Sequence, residues 1–314
     1  MVPKSGIEML KAKGYEAVIN PEDKVLTKEE LINNLKSQNY DALFCLLTDK
    51  IDAEVMDVFG PQLKIIANMA MGFDNIDIEE AKKRGIMITN TPGVLTDTVA
   101  EHTFALMLAI AHRIVEADKF TRALKYHGWE PMLLLGNDLS GKILGVVGLG
   151  RIGSRVAYHA LKGFDMNVVY YDVKRNEDFE KEFAAAYMSL EDLLKQSDFI
   201  SIHVPLLDST RHLINAENLK LMKPSAYLVN TSRGPIIDEV ALAYALANKV
   251  IKGAALDVFE FEPNITPELL QLDNVILTPH IASATEETRS KMSDLAATNI
   301  IEALEGRTPP NLVK

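Results

Sequence analysis

Short apolar runs alternate with helical patterns along the first 90 residues of the chain. The 3.6-residue spacing of apolar positions predicts helices near residues 53–59 and 78–84. Thr27 and Glu30 have the spacing of a capping box, which indicates the start of a further helix. The apolar runs that predict strands lie at residues 16–19, 41–47, 63–69 and 86–89. Strands that alternate with helices through short connections are typical of parallel βαβ units.

A second series of elements begins with a long amphipathic segment from Thr98 to about Ala123. Thr98 and Glu101 have the spacing of another capping box at the start of this helix. Helical patterns lie between most of the strands that follow, and a final helix is predicted at about Glu286–Leu304. The predicted strands are 143–147, 168–171, 199–202, 226–229, 253–256 and 275–277. About six strands in one parallel sheet is the architecture of a dinucleotide-binding domain.

Length, composition and charge restrict the class of protein. The chain has 314 residues, which at about 150 residues per domain corresponds to two domains. A hydrophobic fraction of 47% and a charged fraction of 25% exclude the disordered, collagenous and low-complexity classes. The net charge of −11 argues against a nucleic-acid partner, because such a surface repels phosphate backbones.

Cys45 is the only cysteine, which excludes an intramolecular disulfide and a cysteine-cluster metal site. The longest apolar stretch, residues 104–111, is far shorter than the roughly 20 residues that span a bilayer. No basic-then-apolar leader opens the sequence. We therefore expect a soluble cytoplasmic protein that has no metal site and does not bind a membrane.

The motif GLGRIG runs from Gly148 to Gly153, between an apolar strand and an amphipathic helix. Gly148 permits the turn, Gly150 lets the backbone approach a pyrophosphate, and Gly153 allows close packing of helix and strand. The first turn of the helix offers free N–H groups to the phosphates, although an isolated motif of this kind can also be a simple tight turn. Asp172 lies 19 residues after Gly153 and can accept both ribose hydroxyls of NAD. An ordinary strand-end aspartate that caps a turn is the alternative for this residue.

Four further polar residues follow strands of the same predicted sheet. Arg233 can hold a carboxylate in a bidentate fork, but a surface arginine paired with a nearby acid fits this position equally well. His280 follows the strand at 275–277, and a lone histidine is more often structural than catalytic. Glu262 and Asp257 lie in loops, where acids are usually solvated. Because all four fall at strand ends of one parallel sheet, we expect them to line its ligand-binding edge.

These segments, in this order, resemble the D-isomer-specific 2-hydroxyacid dehydrogenases over nearly the whole chain. The motifs that carry the resemblance are NMAMGFDNID (68–77), TDTVAEHTFALML (96–108), GLGRIG, HVPLLDST (203–210), NTSRG, LDVFEFEP and TPHIASAT. The resemblance implies that His280 is the catalytic acid/base and that Glu262 is its partner. It also implies that Arg233 binds the carboxylate and the carbonyl group of the substrate.

The resemblance implies an α/β fold of two doubly wound parallel-sheet domains. Residues 1–96 and 286–314 form a flavodoxin-like catalytic domain in such enzymes, and residues 97–285 form a Rossmann NAD-binding domain. Relatives begin with a strand ahead of the helix that residues 3–14 resemble, and this sequence has no such strand. Its absence is expected to expose the edges of the neighbouring strands.

Within the family, residues 128–142 are most similar to the glyoxylate/hydroxypyruvate reductases. The implied reaction is the reduction of a small 2-keto acid, with NADH preferred and NADPH as the alternative coenzyme. The substrate-binding residues implied by the resemblance are Leu47, Met71, Gly72, Arg233 and His280. Asp257 is expected at the nicotinamide carboxamide. The coenzyme-binding residues implied are Thr98, Gly148, Gly150, Arg151, Ile152, Gly153, Asp172, Val204, Pro205, Thr210, Thr231, Ser232, Arg233, Asp257 and His280.

The resemblance also implies a homodimer. In relatives, a tryptophan of one subunit approaches the substrate pocket of the other, and Trp129 is the only tryptophan of this chain. An ordinary packing aromatic is the alternative for Trp129.

Three other activities of this fold stay open. D-3-phosphoglycerate dehydrogenases commonly carry an appended regulatory domain, which we do not expect after the final helix of this sequence, although short versions exist. Formate dehydrogenases place glutamine where Glu262 stands, because formate oxidation leaves no proton on the substrate oxygen, so Glu262 favours a hydroxy acid. A non-enzymatic, NAD-sensing corepressor keeps the Arg–Glu–His set but carries extended termini.

Overall fold

Two parallel sheets organise residues 2–313, the part of the chain that the computed structural model describes. The strands are β1 (Ala42–Cys45), β2 (Ile65–Asn68), β3 (Met87–Thr89), β4 (Ile143–Val147), β5 (Asn167–Tyr171), β6 (Ala186–Tyr187), β7 (Phe199–Ile202), β8 (Tyr227–Asn230), β9 (Gly253–Leu256) and β10 (Val275–Leu277). The helices are α1 (Lys4–Ala12), α2 (Lys28–Leu35), α3 (Ala53–Phe59), α4 (Ile78–Lys83), α5 (Thr96–Ala111), α6 (Ile114–Arg122), α7 (Arg151–Gly163), α8 (Glu177–Phe183), α9 (Leu190–Gln196), α10 (Ala216–Leu221), α11 (Glu239–Ala247) and α12 (Glu286–Leu304). The chain divides into two units. Unit 1 contains the residues up to Leu95 and from Ser283 onward, and unit 2 contains Thr96–Ala282.

Unit 1 contains the parallel sheet β1-β2-β3. Side chains alternate between the two faces of a strand, so each face packs against its own layer. On one face, Cys45, Ile66 and Ile88 join a buried core with α2, α3 and α4. α12 also packs against the strands, and α1 packs against α12. Gly6 of α1 has no room for a Cβ beside Ser293, which allows this close helix approach.

Two sequence predictions for unit 1 had different outcomes. Thr27 Oγ1 accepts the N–H of Glu30 at 3.2 Å and the Glu30 carboxylate accepts the N–H of Thr27 at 2.9 Å, so the capping box is confirmed. The prediction of a strand at residues 16–19 was wrong. No strand within residues 2–313 pairs with this segment, and Val18 and Ile19 are exposed. A strand needs a neighbour that accepts its hydrogen bonds, and an apolar pattern alone does not provide one.

Unit 2 contains a seven-stranded parallel sheet in the order β10-β9-β8-β7-β4-β5-β6. Val146 and Tyr170 join α5 and α7 in a core on one face, and Val147 and Val169 join α9, α10 and α11 on the other. The strand order reverses between β4 and β7. Open α/β sheets bind ligands at the carboxyl ends of their strands at such a switch point. The predicted doubly wound dinucleotide-binding architecture is confirmed.

Three local features of unit 2 differ from the prediction. The helix predicted from Thr98 to Ala123 is split into α5 and α6. The split occurs because Arg113 adopts a left-handed conformation (φ 55°) and the carbonyl of Ala111 accepts the N–H of Asn137. α5 begins two residues earlier than predicted, so Thr98 lies within its first turn and not at its N-cap. β6 pairs with β5 and was not predicted, because two exposed residues are too few to give a strand pattern.

The longest helices do not have the character of membrane spans. α12 has 19 residues and includes several charged side chains. α5 is more apolar but has only 16 residues. Over residues 2–313, no helix combines the length and the apolar character needed to cross a membrane.

Candidate active site

The glycine loop of unit 2 joins β4 to α7 at the switch point of the sheet. Gly148 has φ 96°, and a Cβ there would lie 2.8 Å from the carbonyl carbon of His203. Gly153 has no room for a Cβ against the carbonyl of Gly148. The first turn of α7 begins at Arg151, and its N-cap, Gly150, supplies no side-chain hydrogen bond. Because the space beside Gly150 is open and this helix N-terminus can bind phosphates, the loop fits a dinucleotide.

Asp172 follows β5 beside this glycine loop. Its Oδ2 accepts the backbone N–H of Leu149 at 2.7 Å, and its Oδ1 accepts that of Lys174 at 3.2 Å. The bond to Lys174 is the turn cap that the sequence left open as an alternative. The bond to Leu149 places the carboxylate next to the glycine loop, where the adenosine ribose of a dinucleotide binds in this fold. Asp172 therefore combines a local turn cap with the position expected of a ribose-binding acid.

His280 and Glu262 form a hydrogen-bonded pair on the loops after β10 and β9. Their Nδ1 and Oε2 atoms lie 3.1 Å apart. Because an ionised carboxylate only accepts, Nδ1 carries the proton, and Nε2 is the nitrogen that can exchange a proton with a substrate. Desolvation by itself raises the pKa of Glu262, but the hydrogen bond and charge of His280, the N–H of Phe259 and the charge of Arg233 outweigh it and hold this pKa below its ordinary value. Glu262 is therefore ionised at neutral pH.

Asp257 is fully buried and fixes the loop after β10. Its carboxylate accepts the Thr278 hydroxyl at 2.6 Å and the N–H groups of Ile281 and Ala282 at 2.9 and 2.7 Å. His102 Nε2 of α5 lies 3.5 Å from the same carboxylate. Desolvation raises the pKa of Asp257, and these four neighbours together hold it below its ordinary value. Asp257 thus supports the loop of the candidate histidine, its contact with the nicotinamide carboxamide stays a prediction, and sequence reasoning missed His102.

Hydrogen bonds within the loop after β8 position Arg233. Asn230 Nδ2 donates to the carbonyl of Arg233 at 2.9 Å, and Asn230 Oδ1 accepts the N–H of Ser232 at 3.0 Å. Nη1 of Arg233 donates to the carbonyl of Ser232 at 2.9 Å. Its positive charge contributes, after His280 and the N–H of Phe259, to holding the pKa of Glu262 below its ordinary value. The structure therefore brings Arg233, Glu262 and His280 to one edge of the sheet, and the buried Asn230 is a supporting residue that the sequence did not reveal.

The other predicted coenzyme residues lie on neighbouring loops and helix starts of unit 2. Ser232 Oγ donates to the carbonyl of Val204. Thr210 Oγ1 donates to the carbonyl of Pro205 at 2.7 Å, which closes the turn after β7. Thr231 Oγ1 lies 2.9 Å from the hydroxyl oxygen of Thr103 on α5. The first turns of α7 and α5 contain Arg151, Ile152 and Thr98.

In unit 1, asparagine side chains hold the loop after β2. Asn68 Nδ2 donates to the carbonyl of Gly72 at 3.0 Å, and Asn90 Nδ2 donates to that of Met71 at 2.7 Å. These hydrogen bonds fix the backbone at Met71 and Gly72, and substrate binding by the N–H groups of these two residues stays a prediction. Sequence reasoning noted the loop but missed these asparagines.

Leu47 lies on the loop after β1, which a third asparagine holds. Asn75 Nδ2 donates to the carbonyls of Leu46 and Asp49 at 3.1 and 2.9 Å. Asn75 Oδ1 accepts from Asn68 at 2.9 Å, so the two predicted substrate loops of unit 1 share one network of amides.

Two other histidines of unit 2 are held neutral by burial. Desolvation lowers the pKa of His203 to about 3, and its Nε2 lies 2.7 Å from Ser201 Oγ. Desolvation also lowers the pKa of His159. Across the described residues, no group of three or more His, Cys, Asp or Glu side chains comes together as metal ligands.

Comparison with known proteins shows which family this chain is similar to. The sequence profile described as "D-isomer specific 2-hydroxyacid dehydrogenase, NAD binding domain" matches residues 104–282. A glyoxylate reductase from Thermococcus litoralis is 51% identical over 316 residues, covering 99% of this chain and 94% of that protein.

Solved structures give a similar result. The TT0316 protein from Thermus thermophilus has a TM-score of 0.93 at 42% identity, covering 100% of this chain and 98% of that one. An NADPH-dependent glyoxylate/hydroxypyruvate reductase from Sinorhizobium meliloti, solved with NADP and malonate, has a TM-score of 0.85 at 31% identity and covers 100% and 94%. The likeness thus spans both units of the chain.

Proposed function

We propose that this chain, which belongs to the D-isomer-specific 2-hydroxyacid dehydrogenase family, uses NADH to reduce glyoxylate to glycolate or hydroxypyruvate to the D-2-hydroxy acid. The observation that carries the proposal is the His280–Glu262 pair, 3.1 Å apart at the carboxyl edge of a dinucleotide-binding sheet. The activities for which two relatives are named, both glyoxylate reductases, support the choice of substrate.

In the proposed reaction, Arg233 binds the substrate, and His280 and Glu262 act in proton transfer. A nicotinamide coenzyme held by the glycine loop and Asp172 would supply the hydride for the keto carbon. Arg233 holds the substrate carboxylate and polarises the keto oxygen, so that developing negative charge meets a fixed cation. His280 donates a proton from Nε2 to this oxygen, and Glu262 orients the imidazole and stabilises its charged form.

NADH is the proposed coenzyme because of Asp172. Its carboxylate can accept the ribose hydroxyls of NADH, whereas the 2′-phosphate of NADPH would meet a like charge. The Sinorhizobium relative is described as NADPH-dependent, so NADPH is the alternative coenzyme. We assign coenzyme binding to residues 97–285, because the NAD-binding profile matches residues 104–282.

Substrate binding outside Arg233 and His280 is assigned to residues 1–96 and 286–314. The peptide N–H groups of Met71 and Gly72 are proposed to bind the substrate carboxylate, and Leu47 is proposed as a further substrate-binding residue. The amide network of the loops after β1 and β2 supports this assignment, because it fixes both loops.

A homodimer is the proposed assembly. The segment 114–135 exposes apolar side chains that a monomer would leave in water: Leu124 is 84% exposed, Trp129 82% and Met132 75%. A second copy of the chain is the proposed cover for them. Light scattering checks this assembly, and a monomer at micromolar concentration would contradict it.

The cytoplasm is the proposed location, since Cys45 is a buried free thiol, as is usual in a reducing compartment.

NADH oxidation followed at 340 nm tests the proposed reaction. The substrates are glyoxylate, hydroxypyruvate, pyruvate and phosphohydroxypyruvate at millimolar concentration. We expect the highest kcat/KM with glyoxylate or hydroxypyruvate. Preference for phosphohydroxypyruvate would indicate a phosphoglycerate dehydrogenase, and only trace turnover with all four would indicate a coenzyme-sensing protein.

A further inference from the structure

Arg175, three residues after Asp172, is bound by Glu180 of α8. Its Nε donates to Oε1 and Oε2 at 2.8 and 3.1 Å, and its Nη2 donates to Oε2 at 2.6 Å. The bond raises the pKa of Arg175 above its ordinary value, and the guanidinium lies 6.0 Å from the ring centroid of Tyr187. A guanidinium fork is the group that recognises a phosphate most specifically, and here a carboxylate of the same chain occupies it.

Glu180 is itself anchored to the sheet. Its Oε1 accepts the hydroxyl of Tyr170 at 2.6 Å, and the same tyrosine oxygen accepts the N–H of Asn176 at 2.8 Å. Tyr170 is fully buried in β5. Hydrogen bonds from Arg175 and Tyr170 lower the pKa of Glu180 to about 2. The carboxylate therefore stays charged at physiological pH and holds a fixed place beside β5, the strand that Asp172 follows.

We propose that Glu180 is a coenzyme-specificity residue, because it keeps Arg175 from binding a 2′-phosphate on the adenosine ribose. The proposal rests on the proposed binding of a nicotinamide coenzyme with its ribose at Asp172. A phosphate there meets the charge of Asp172, and the nearby guanidinium that could offset it is already engaged. Lys174 is exposed and offers only a mobile point charge, which contributes little.

Glu180→Gln tests the proposal, because glutamine keeps the size of the side chain and an oxygen for the Tyr170 hydroxyl but loses the charge. Dissociation constants for NADH and NADPH are measured by fluorescence without substrate. We expect the ratio of the NADPH constant to the NADH constant to fall at least tenfold, and an unchanged ratio overturns the proposal. Glu191→Gln is the matched control, since it removes a 2.6 Å ion pair with Lys195 and one negative charge from the same unit. Its ratio is expected to stay within twofold of the wild type.

The single Arg175→Gln variant provides a second test, which does not depend on the folding of the Glu180→Gln variant. Because Arg175 is already engaged, its loss alone is expected to leave the ratio within twofold. Its loss in the Glu180→Gln background is expected to cancel the gain in NADPH affinity. A tenfold rise of the ratio in the single Arg175→Gln variant would show that Arg175 binds the phosphate despite Glu180, which overturns the proposal.

Binding without substrate separates this proposal from the proposed reaction. If the ratio shifts as expected but none of the 2-keto acids is reduced, the proposed reaction fails and the role of Glu180 stands. If the wild type binds neither coenzyme, both fail.

Discussion

Gly234→Ala is expected to separate the two loops that carry Arg233 and Glu262. Gly234 lies directly after Arg233, where the loop after β8 touches the loop after β9. A Cβ on Gly234 would overlap the carbonyl group of Phe259 and the nitrogen of Glu260. Its distances to these atoms would be well below 3.0 Å, and Cβ atoms in proteins essentially never approach other atoms so closely. These atoms belong to the backbone and cannot rotate away, so the loops must move apart.

The size of the effect follows from the geometry. Relieving the overlap requires a displacement of about 1 Å at Phe259, whose N–H donates to Glu262 Oε1 at 3.0 Å. Movement of Phe259 therefore moves Glu262 away from His280, with which it makes a 3.1 Å hydrogen bond. A misplacement of about 1 Å can lower an enzymatic rate by roughly 10²-fold. We expect this loss in kcat/KM for glyoxylate, together with a stability loss of about 1–3 kcal/mol from overpacking.

Steady-state kinetics and NADH titration check this prediction together. The NADH dissociation constant is expected to change far less than kcat/KM, because the glycine loop is not displaced. Gly163→Ala is the control, since a Cβ at the end of α7 meets no atom within 4 Å. A Gly234→Ala enzyme with kcat/KM within threefold of the wild type would refute the argument that this contact positions Glu262.

Four further outcomes are expected. His280→Ala should lower kcat for glyoxylate by about 10²–10⁴-fold and leave NADH titration nearly unchanged, and near-normal turnover would remove His280 as the proton donor. Glu262→Gln should lower kcat more than it raises KM, because the amide no longer fixes the charged imidazole; a main effect on KM would place Glu262 in substrate binding instead. The pKa of Asp257 lies below its ordinary value of 3.8, so its carboxylate stabilises the fold above about pH 3.8 and loses this contribution as the pH falls through the lower value. Asp257→Asn should therefore lower Tm at pH 7, with the difference shrinking below about pH 3.8, and parallel Tm curves would contradict this. Asp172→Ser should reduce the preference of kcat/KM for NADH over NADPH, which we expect to be at least about tenfold in the wild type, and a wild type that favours NADPH would be the contrary result.

The sequence by itself determined the features whose signal is local. The glycine motif is one continuous stretch between a strand and a helix, and the structure places it between β4 and α7 as predicted. The last helix was predicted at Glu286–Leu304, and it begins there because the Thr285 hydroxyl accepts the N–H of Thr288. Such signals need only neighbouring residues, so no knowledge of the fold is required to find them.

The proposed roles of His280 and Glu262 came from the resemblance of the chain to a family and not from the spacing of the two residues. Each is a single polar residue in a loop, and 18 positions separate them along the chain. Their contact exists because β9 and β10 lie side by side in parallel, which brings both loops to the same edge. Strand neighbours can be guessed from the order of elements, but the distance between two side chains cannot.

Tertiary structure alone decided which hydrogen-bond partners each polar group has and which apolar run becomes a strand. Residues 16–19 have the pattern of a strand but no neighbour within the described chain to pair with. Asp257 looked like a loop acid and is fully buried, because it accepts hydrogen bonds from the loop after β10 and lies 3.5 Å from His102 of α5. Arg175 follows Asp172 by three positions in the sequence, and only the structure shows that Glu180 holds it. A local sequence pattern indicates which residues prefer water. Burial and hydrogen bonding depend on atoms from distant positions in the sequence, which only folding brings together.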